Sequence, residues 1–138
     1  MNNKISKTLE FEKIKQQLQN FAATDQGIDK IQALRPEIDQ EKVVALQNET
    51  EDGRKVLRLK GGIPMPRLKS IRSHLKRLEI GGTLNGKEIA EIGRVLSTTR
   101  EIIQFFQWFE DNEISFFVLD ELVAGLVVLP EITRRIQA

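Results

Sequence analysis

Residues 85–109, NGKEIAEIGRVLSTTREIIQFFQWF, carry the longest helical pattern in the chain. Apolar or small side chains return there every three or four positions, which places them on one face of an α-helix. These positions are Ile89, Ile92, Leu96, Thr99, Ile102 and Phe106. Asn85 is a favourable N-cap, and Glu88 three residues later completes a capping-box pattern. The sequence therefore predicts one long helix from Asn85 to about Phe109.

The same spacing recurs on both sides of this segment. It predicts helices from Thr8 or Glu10 to about residue 21, over 25–34, 39–59 and 68–78, and from Pro130 to residue 136. Breaks fall at Pro36 and at paired glycines at 61–62 and 81–82. No alternating strand pattern of useful length occurs. The predicted fold is an all-α helical bundle of about five to seven helices, forming a single helical domain or fragment over residues 1–138.

Apolar side chains concentrate towards the end of the chain. The aromatic residues there, predicted to form core or interface, are Phe105, Phe106, Trp108, Phe109, Phe116 and Phe117. The apolar stretch 114–129 is shorter than the ~20 residues that span a bilayer and contains two acids, so no membrane segment is predicted. The final helical pattern stops at Ala138 without a cap, which suggests a fragment of a longer protein.

The composition excludes several kinds of catalytic site. The chain has no cysteine and one histidine, His74, which argues against thiolate catalysis, a cysteine-ligated zinc and a Ser-His-Asp triad. No glycine-rich segment is followed by the Gly-Lys-Ser/Thr of a phosphate loop. No catalytic, cofactor-binding or metal-ligating residue is therefore predicted, and function is expected to come from binding or scaffolding.

Charge is distributed very unevenly. Residues 53–78 contain nine basic residues and no acidic residue, although the net charge of the chain is only +1. On a helix over 68–78, Lys69, Arg72 and Lys76 would share a sector of about 60°, and such a stripe can follow a phosphate backbone. The residues predicted to contact nucleic acid are Arg67, Lys69, Arg72, Lys76 and Arg77.

A second interpretation of the basic run stays open. Acids such as Glu49, Glu51 and Glu91 could neutralise it within the fold. The chain would then be a purely structural helical module for protein interaction or dimerisation, without nucleic-acid contact. No aromatic residue lies between Arg54 and Arg77, so stacking of single-stranded bases on this segment is not expected.

An ordered set of short strings gives the chain a family resemblance. They are TLEFEKI at 8–14, FAAT at 21–24, LRP at 34–36, QNETE at 47–51, GIP at 62–64, IR at 71–72, LKRL at 75–78 and IGGTL at 80–84. In this order and spacing they resemble the N-terminus of the second bacterial MutS paralogue family, here called MutS-two. Gly53 departs from the alanine expected there.

The resemblance implies a role within a much longer protein. MutS-two proteins begin with a helical core and lever region, continue into an ABC-type ATPase that uses ATP and Mg²⁺, and end in a small MutS-related (Smr) nuclease domain. The family is associated with branched DNA, suppression of recombination and the splitting of collided ribosomes. The resemblance thus implies that residues 1–138 are a non-catalytic core/lever segment of a cytoplasmic homodimer, with no cofactor of its own.

Overall fold

Seven α-helices make up most of residues 10–137, the part of the chain that the computed structural model describes. They are α1 (Phe11–Gln19), α2 (Asp25–Gln32), α3 (Gln40–Lys60), α4 (Arg72–Glu79), α5 (Gly86–Asp111), α6 (Leu119–Ala124) and α7 (Pro130–Gln137). Within these residues there is no strand, only an isolated bridge between Thr24 and Leu68. The predicted all-α fold is confirmed. Thr8, one of the two proposed helix starts, lies outside the described residues.

The predicted caps account for the helix boundaries. The Asn85 side chain accepts a hydrogen bond from the Glu88 amide at 2.9 Å, and the Glu88 carboxylate accepts one from the Asn85 amide at 3.2 Å. This is the capping box that the sequence predicts. Asp39 accepts a bond from the Lys42 amide at the start of α3, and Gly61 ends that helix with a φ of +79°. A positive φ favours glycine, which has no Cβ to clash.

An aromatic core lies where the end of α5 meets α3 and residues 114–119. Its buried members are Val56, Phe106, Phe109 and Phe116, and we call this set the aromatic core. Phe109 and Phe116 pack edge to face with ring centroids 4.9 Å apart, a favourable arrangement for aromatic rings. Of the predicted aromatic cluster, Trp108 and Phe117 are exposed instead.

The face of α3 that reaches this core differs from the prediction. The helical spacing of Val43, Leu46, Thr50, Gly53 and Leu57 predicts that they share the inward face of this helix. In the structure Leu57 is instead 61% exposed, while Asp52 and Val56 are each 1% exposed. The reason is polar: the Asp52 carboxylate accepts hydrogen bonds from the amides of residues 117, 118 and 119 at 2.7–3.0 Å. These bonds turn α3 so that Asp52 faces inward.

A second, smaller unit forms at the other end of the chain. The Lys15 ammonium on α1 donates to the carbonyls of Gln32 and Leu34 at 2.9 and 3.2 Å, at the C-terminal end of α2. Lys15 is the buried residue of α1, whereas Ile14 and Phe21 are 56% and 86% exposed. The two helices are thus joined by a buried cation rather than by an apolar core.

The helices leave much surface open. The solvent-accessible area is 10660 Å², against roughly 7300 Å² for a compact monomer of this mass. Close packing does occur where α7 crosses α5, because a Cβ added at Gly93 would lie 2.6 Å from Ile136 Cγ2. The whole is an open array of helices arranged around the long α5.

Candidate nucleic-acid interface

Residues 68–78 of the basic run do not form the one continuous helix that the sequence predicts. Helix α4 begins at Arg72, so Arg67 and Lys69 precede it, and the helical stripe joining Lys69 to Arg72 and Lys76 is wrong. The cause is backbone pairing with the start of α2. The Leu68 amide donates to the Ala23 carbonyl at 3.2 Å, and its carbonyl accepts from the Asp25 amide at 3.3 Å. These bonds hold residues 67–69 in a strand-like pairing.

This pairing places Arg67 and Lys69 on a cleft. Side chains two apart on an extended backbone point to the same side, and both line an opening of about 500 Å³ between the 67–69 segment, α2 and α5. Lys87 and Arg94 of α5 line the opposite wall, and Ile28 and Ala90 contribute apolar surface. We call this opening the cationic cleft.

Lys87 and Arg94 are functional candidates that the sequence analysis missed. The Asn85 capping box fixes the first turn of α5 and therefore the position of Lys87. Lys87, Ala90, Glu91 and Arg94 are spaced by three, four and seven residues, which is one helix face, and all four line the cleft. The spacing of the two cations was readable in the sequence, but their proximity to Arg67 depends on the pairing between residues 23–25 and 68.

Two carboxylates also line the cleft, and both have partners of their own. Asp25 accepts a hydrogen bond from the Ser70 amide at 2.9 Å. Glu91 Oε2 lies 2.7 Å from His74 Nε2, and this hydrogen bond holds the pKa of Glu91 below its ordinary value. The nearby charges of Lys69 and Lys87 lower that pKa further. Glu91 thus stays ionised and bonded to α4.

The remaining predicted residues lie on α4 in two different settings. Arg77 Nη1 donates to Glu88 Oε2 at 2.7 Å, so Arg77 joins α4 to α5. His74 sits half-buried beside it, and its Nδ1 lies 3.1 Å from Glu88 Oε2 without hydrogen-bond geometry. Arg72 and Lys76 are exposed, and within residues 10–137 no carboxylate lies within 4 Å of either.

Neutralisation of the basic run by neighbouring acids is partial. Arg54 lies 3.7 Å from Glu51 on an exposed surface, and Glu91 bonds to His74 rather than to a lysine or arginine. Lys55 donates to the Ser115 carbonyl at 2.6 Å. Lys60 lies 3.7 Å from the centre of the Trp108 ring, a cation–π contact. No carboxylate in the described part of the chain pairs with Arg67 or Lys69.

The described residues do not fit the ATP and Mg²⁺ expected of a whole MutS-two protein. Lys87 stands in the first turn of α5, but Glu88 follows it and places a carboxylate where a phosphate loop has a hydroxyl. No group of three or more His, Asp or Glu side chains in residues 10–137 could hold a metal ion. Among the helices of residues 10–137, none is both long and apolar enough to cross a membrane.

Comparison with known proteins identifies relatives of the chain along its whole length. No protein-family model matches it. It is 49% identical over 138 residues to the protein named Endonuclease MutS2 of Latilactobacillus sakei, covering 100% of this chain and 18% of that protein. The proteins of the same name in Enterococcus faecalis and Ligilactobacillus salivarius are 48% and 49% identical over 99% of the chain and 17% of their own length.

The chain spans less than a fifth of the length of these curated relatives. Their names confirm the resemblance drawn from the ordered strings between residues 8 and 84. With such identity along its whole length, the chain belongs to the MutS-two family and corresponds to a segment of these proteins.

Proposed function

We propose that this chain is the non-catalytic core/lever segment of a MutS-two-like DNA-binding ATPase and endonuclease, and that it contacts the phosphate backbone of nucleic acid directly. The proposed contact with phosphate rests on one observation. On the walls of the cationic cleft and the outer side of α4, six exposed cations have no carboxylate within 4 Å in residues 10–137. They are Arg67, Lys69, Arg72, Lys76, Lys87 and Arg94.

The cationic cleft and the outer side of α4 would act as one electrostatic surface. Each lysine or arginine that neutralises a phosphate releases a condensed counterion, which makes binding favourable and salt-dependent. No aromatic side chain lines the cleft, so base stacking adds nothing there. Contact would be with phosphates, independent of base sequence. Arg77, the fifth predicted residue, would contribute less because Glu88 already pairs with it.

For the whole protein we propose the wider role that the family resemblance implies. ATP and Mg²⁺ would bind in an ATPase domain outside these 138 residues, and an Smr domain would carry the nuclease activity. The helices described here would transmit nucleotide-driven changes of a cytoplasmic homodimer to its nucleic-acid clamp. Its targets would be branched DNA, in suppressing recombination, or the ribosomal RNA of collided ribosomes.

A purely structural interaction module is the competing proposal. Two observations favour it: Arg77 pairs with Glu88 and Arg54 with Glu51, and many large apolar side chains are exposed for partner helices to cover. This alternative predicts no nucleic-acid binding by the segment, even at low salt.

Binding of the purified chain to a labelled four-way DNA junction separates the two proposals. We expect binding whose log–log dependence on salt between about 50 and 200 mM has a slope of roughly −3 to −5, as for three to five phosphate contacts. Charge reversal of Lys69, Lys87 and Arg94 together should flatten this slope by about 2 to 3.

Arg100→Glu is the matched control, because Arg100 is exposed on the same helix but does not line the cleft. It should change the slope by less than half as much as the triple variant. Absence of binding at the lowest salt would leave the interaction module as the function. Equal weakening by Arg100→Glu would mean that general charge, and not the cleft, attracts the junction.

A further inference from the structure

The cationic cleft is lined by two acids as well as by its four cations. The acids are Asp25 at the start of α2 and Glu91 on α5. Four positive and two negative side chains face one opening, so their charges leave a net +2. An anion that enters the cleft must therefore bind the cations and also tolerate two carboxylates.

Each of these carboxylates has one oxygen engaged and one oxygen free within residues 10–137. Asp25 Oδ2 accepts a hydrogen bond from the Ser70 amide at 2.9 Å, and Glu91 Oε2 lies 2.7 Å from His74 Nε2. No hydrogen bond from the described residues reaches Asp25 Oδ1 or Glu91 Oε1. Because an ionised carboxylate can only accept hydrogen bonds, these two oxygens are suited to a ligand that brings a donor.

Glu91 lies where the cations of the two walls come together. The hydrogen bond with His74, and then the charges of Lys69 and Lys87 from opposite walls, hold the pKa of Glu91 below its ordinary value. The side chain of Glu91 is 21% exposed, so a ligand in the cleft can reach it. An anion held between the two lysines would therefore lie beside an ionised carboxylate.

The two kinds of phosphate in a nucleic acid would meet this carboxylate differently. A phosphodiester within a strand carries one negative charge and only acceptor oxygens, so Glu91 would repel it without gaining a hydrogen bond. A phosphate monoester at a strand end carries roughly −1.5 to −2 charges near pH 7, and its singly ionised form keeps one P–OH group. That hydroxyl can donate to Glu91 while the other oxygens bind the cations. An unpaired acid in a cationic site thus favours the end group over the internal one.

The size of the cleft also agrees with an end group. Its volume of about 500 Å³ lies within the range of sites that hold one small molecule, roughly 300–1,000 Å³. Ile28, Leu68 and Ala90 provide apolar surface against which the sugar of a terminal nucleotide can pack. A terminal nucleotide needs one way into the cleft, whereas a continuous strand needs a way in and a way out.

We propose that the cationic cleft binds a terminal phosphate monoester, the group at the phosphorylated end of a nucleic-acid strand, and that Glu91 makes the cleft reject internal phosphodiesters. This preference rests on the proposed function, since it specifies which phosphate the surface selects. Arg72 and Lys76 lie outside the cleft and would contact internal phosphates of the same nucleic acid. A free mononucleotide carries the same group and is the other possible source of it.

Fluorescence anisotropy of the 138-residue chain with three versions of one four-way DNA junction is the test. The versions differ only at one 5′ end, placed on a short single-stranded overhang. This end is a hydroxyl, a phosphate, or a phosphate blocked as its methyl ester, which has one charge and no P–OH group. We expect the phosphate version to bind at least about tenfold more tightly than the other two, which should agree within about threefold.

Glu91→Gln tests the residue that gives the preference. Glutamine removes the negative charge and can donate to any phosphate oxygen, so the ratio of affinities between the phosphate and methyl-ester junctions should fall below about threefold. Arg94→Gln, which leaves the contact between α4 and α5 untouched, should weaken binding of the phosphate junction to the level of the hydroxyl junction. Glu101→Gln is the matched control, because Glu101 is an exposed acid on the same helix outside the cleft. It should leave the ratio unchanged.

Equal binding of the three junctions would overturn the terminal-phosphate site and leave the proposed function intact. A methyl ester that binds as tightly as the phosphate, or a ratio that survives Glu91→Gln or Arg94→Gln, would do the same. Absence of binding by every junction at low salt would overturn both proposals.

Competition with thymidine 5′-monophosphate separates the two sources of the group. If the free mononucleotide displaces the phosphate junction below about 100 times the junction's dissociation constant, the mononucleotide is itself a sufficient ligand. If it requires a higher concentration, the rest of the strand supplies much of the affinity and the strand end is the ligand. Either result supports a site for a phosphate monoester.

Discussion

The two ends of this molecule each bury one charge at a helix terminus, but in very different surroundings. Asp52 binds the amides that lead into α6 and lies beside the aromatic core. Lys15 binds the carbonyls that end α2, and its neighbours Ile14 and Phe21 on the same unit are largely exposed. Both charges satisfy helix-terminal groups of the opposite polarity, as the helix dipole favours.

The two sites differ in how much apolar surface is buried around the charged side chain. Around Asp52, four buried apolar side chains exclude water, so each hydrogen bond is strong and its loss is costly. Around Lys15 there is little apolar burial to add to the polar bonds. The unit of α1 and α2 should therefore open locally at lower free energy than the aromatic core.

Asp52→Ala should give the largest effect on stability. It leaves the three partly buried amides of residues 117–119 without their acceptor. We expect the free energy of unfolding to fall by about 3–5 kcal/mol, measured by urea titration of the circular dichroism signal.

Two further variants make this test specific. Asp52→Asn keeps one acceptor oxygen and should cost about 1–3 kcal/mol. Glu49→Ala, at an exposed position one turn earlier on α3, should change the stability by less than about 0.5 kcal/mol. A loss below about 1 kcal/mol for Asp52→Ala would mean that the carboxylate does not hold α3 against residues 117–119.

Lys15→Met should have a smaller and local effect. The methionine keeps the aliphatic stem but removes the ammonium that binds Gln32 and Leu34, at a cost of about 1–3 kcal/mol. Hydrogen exchange should show faster exchange of amides in α1 and α2 and unchanged exchange in α5. Lys13→Met, at an exposed position, is the control. Equal acceleration throughout the chain would remove the distinction between the two units.

The sequence pattern predicted where the helices begin and end more accurately than which of their faces are buried. Helix ends are set by hydrogen bonds between residues that are close in sequence, as at Asn85, Asp39 and Gly61. The local sequence pattern can therefore predict them. The inward face of α3 depends on Asp52 meeting amides 65 to 67 positions away. No local periodicity reports such a contact, and Asp52 lies outside the apolar stripe of α3, as a charged residue predicted to face solvent would.

The candidate interface was predictable to a similar extent. The acid-free run identified Arg67 and Lys69, and both line the cationic cleft. Helical spacing then placed Lys69 on α4, which is wrong because the Leu68 backbone pairs with residues 23–25. The same non-local pairing brings Lys87 and Arg94 opposite, so these two cations could not be assigned to the site from sequence alone.

Gly53→Ala tests the packing of α3 next to Asp52 and should be stabilising. A Cβ added there meets no heavy atom within 4 Å, and an interior helical glycine costs about 1 kcal/mol relative to alanine. We expect a gain of about 0.5–1 kcal/mol in urea unfolding. Gly93→Ala is the matched control with the opposite sign, because its Cβ would lie 2.6 Å from Ile136 Cγ2. Destabilisation by Gly53→Ala would indicate a close approach at that position.

The smallest expected effect concerns acid sensitivity at Glu91, which joins α5 to α4. The hydrogen bond with His74 holds the pKa of Glu91 below its ordinary value of 4.5. A carboxyl whose pKa is lowered by folding stabilises the fold above that ordinary value, and this stabilisation is lost as the pH falls through the folded pKa. Glu91→Gln should therefore melt below the wild type near pH 6, and the gap should narrow as the pH falls below 4.5.

Glu37 gives the comparison that identifies the cause of this effect. Its pKa is lowered by hydrogen bonds from the amides of Asp39 and Ile38, in the segment between α2 and α3. Replacing His74 by leucine, which cannot donate a hydrogen bond, should narrow the pH-dependent gap between Glu91 and its glutamine variant to the part that Lys69 and Lys87 supply. The corresponding gap for Glu37 should stay intact, because backbone amides do not depend on His74. Thermal unfolding from about pH 3 to 6 measures both gaps. A Glu91 gap that is undiminished without His74 would place the whole cause in Lys69 and Lys87, whose charges face the same carboxylate.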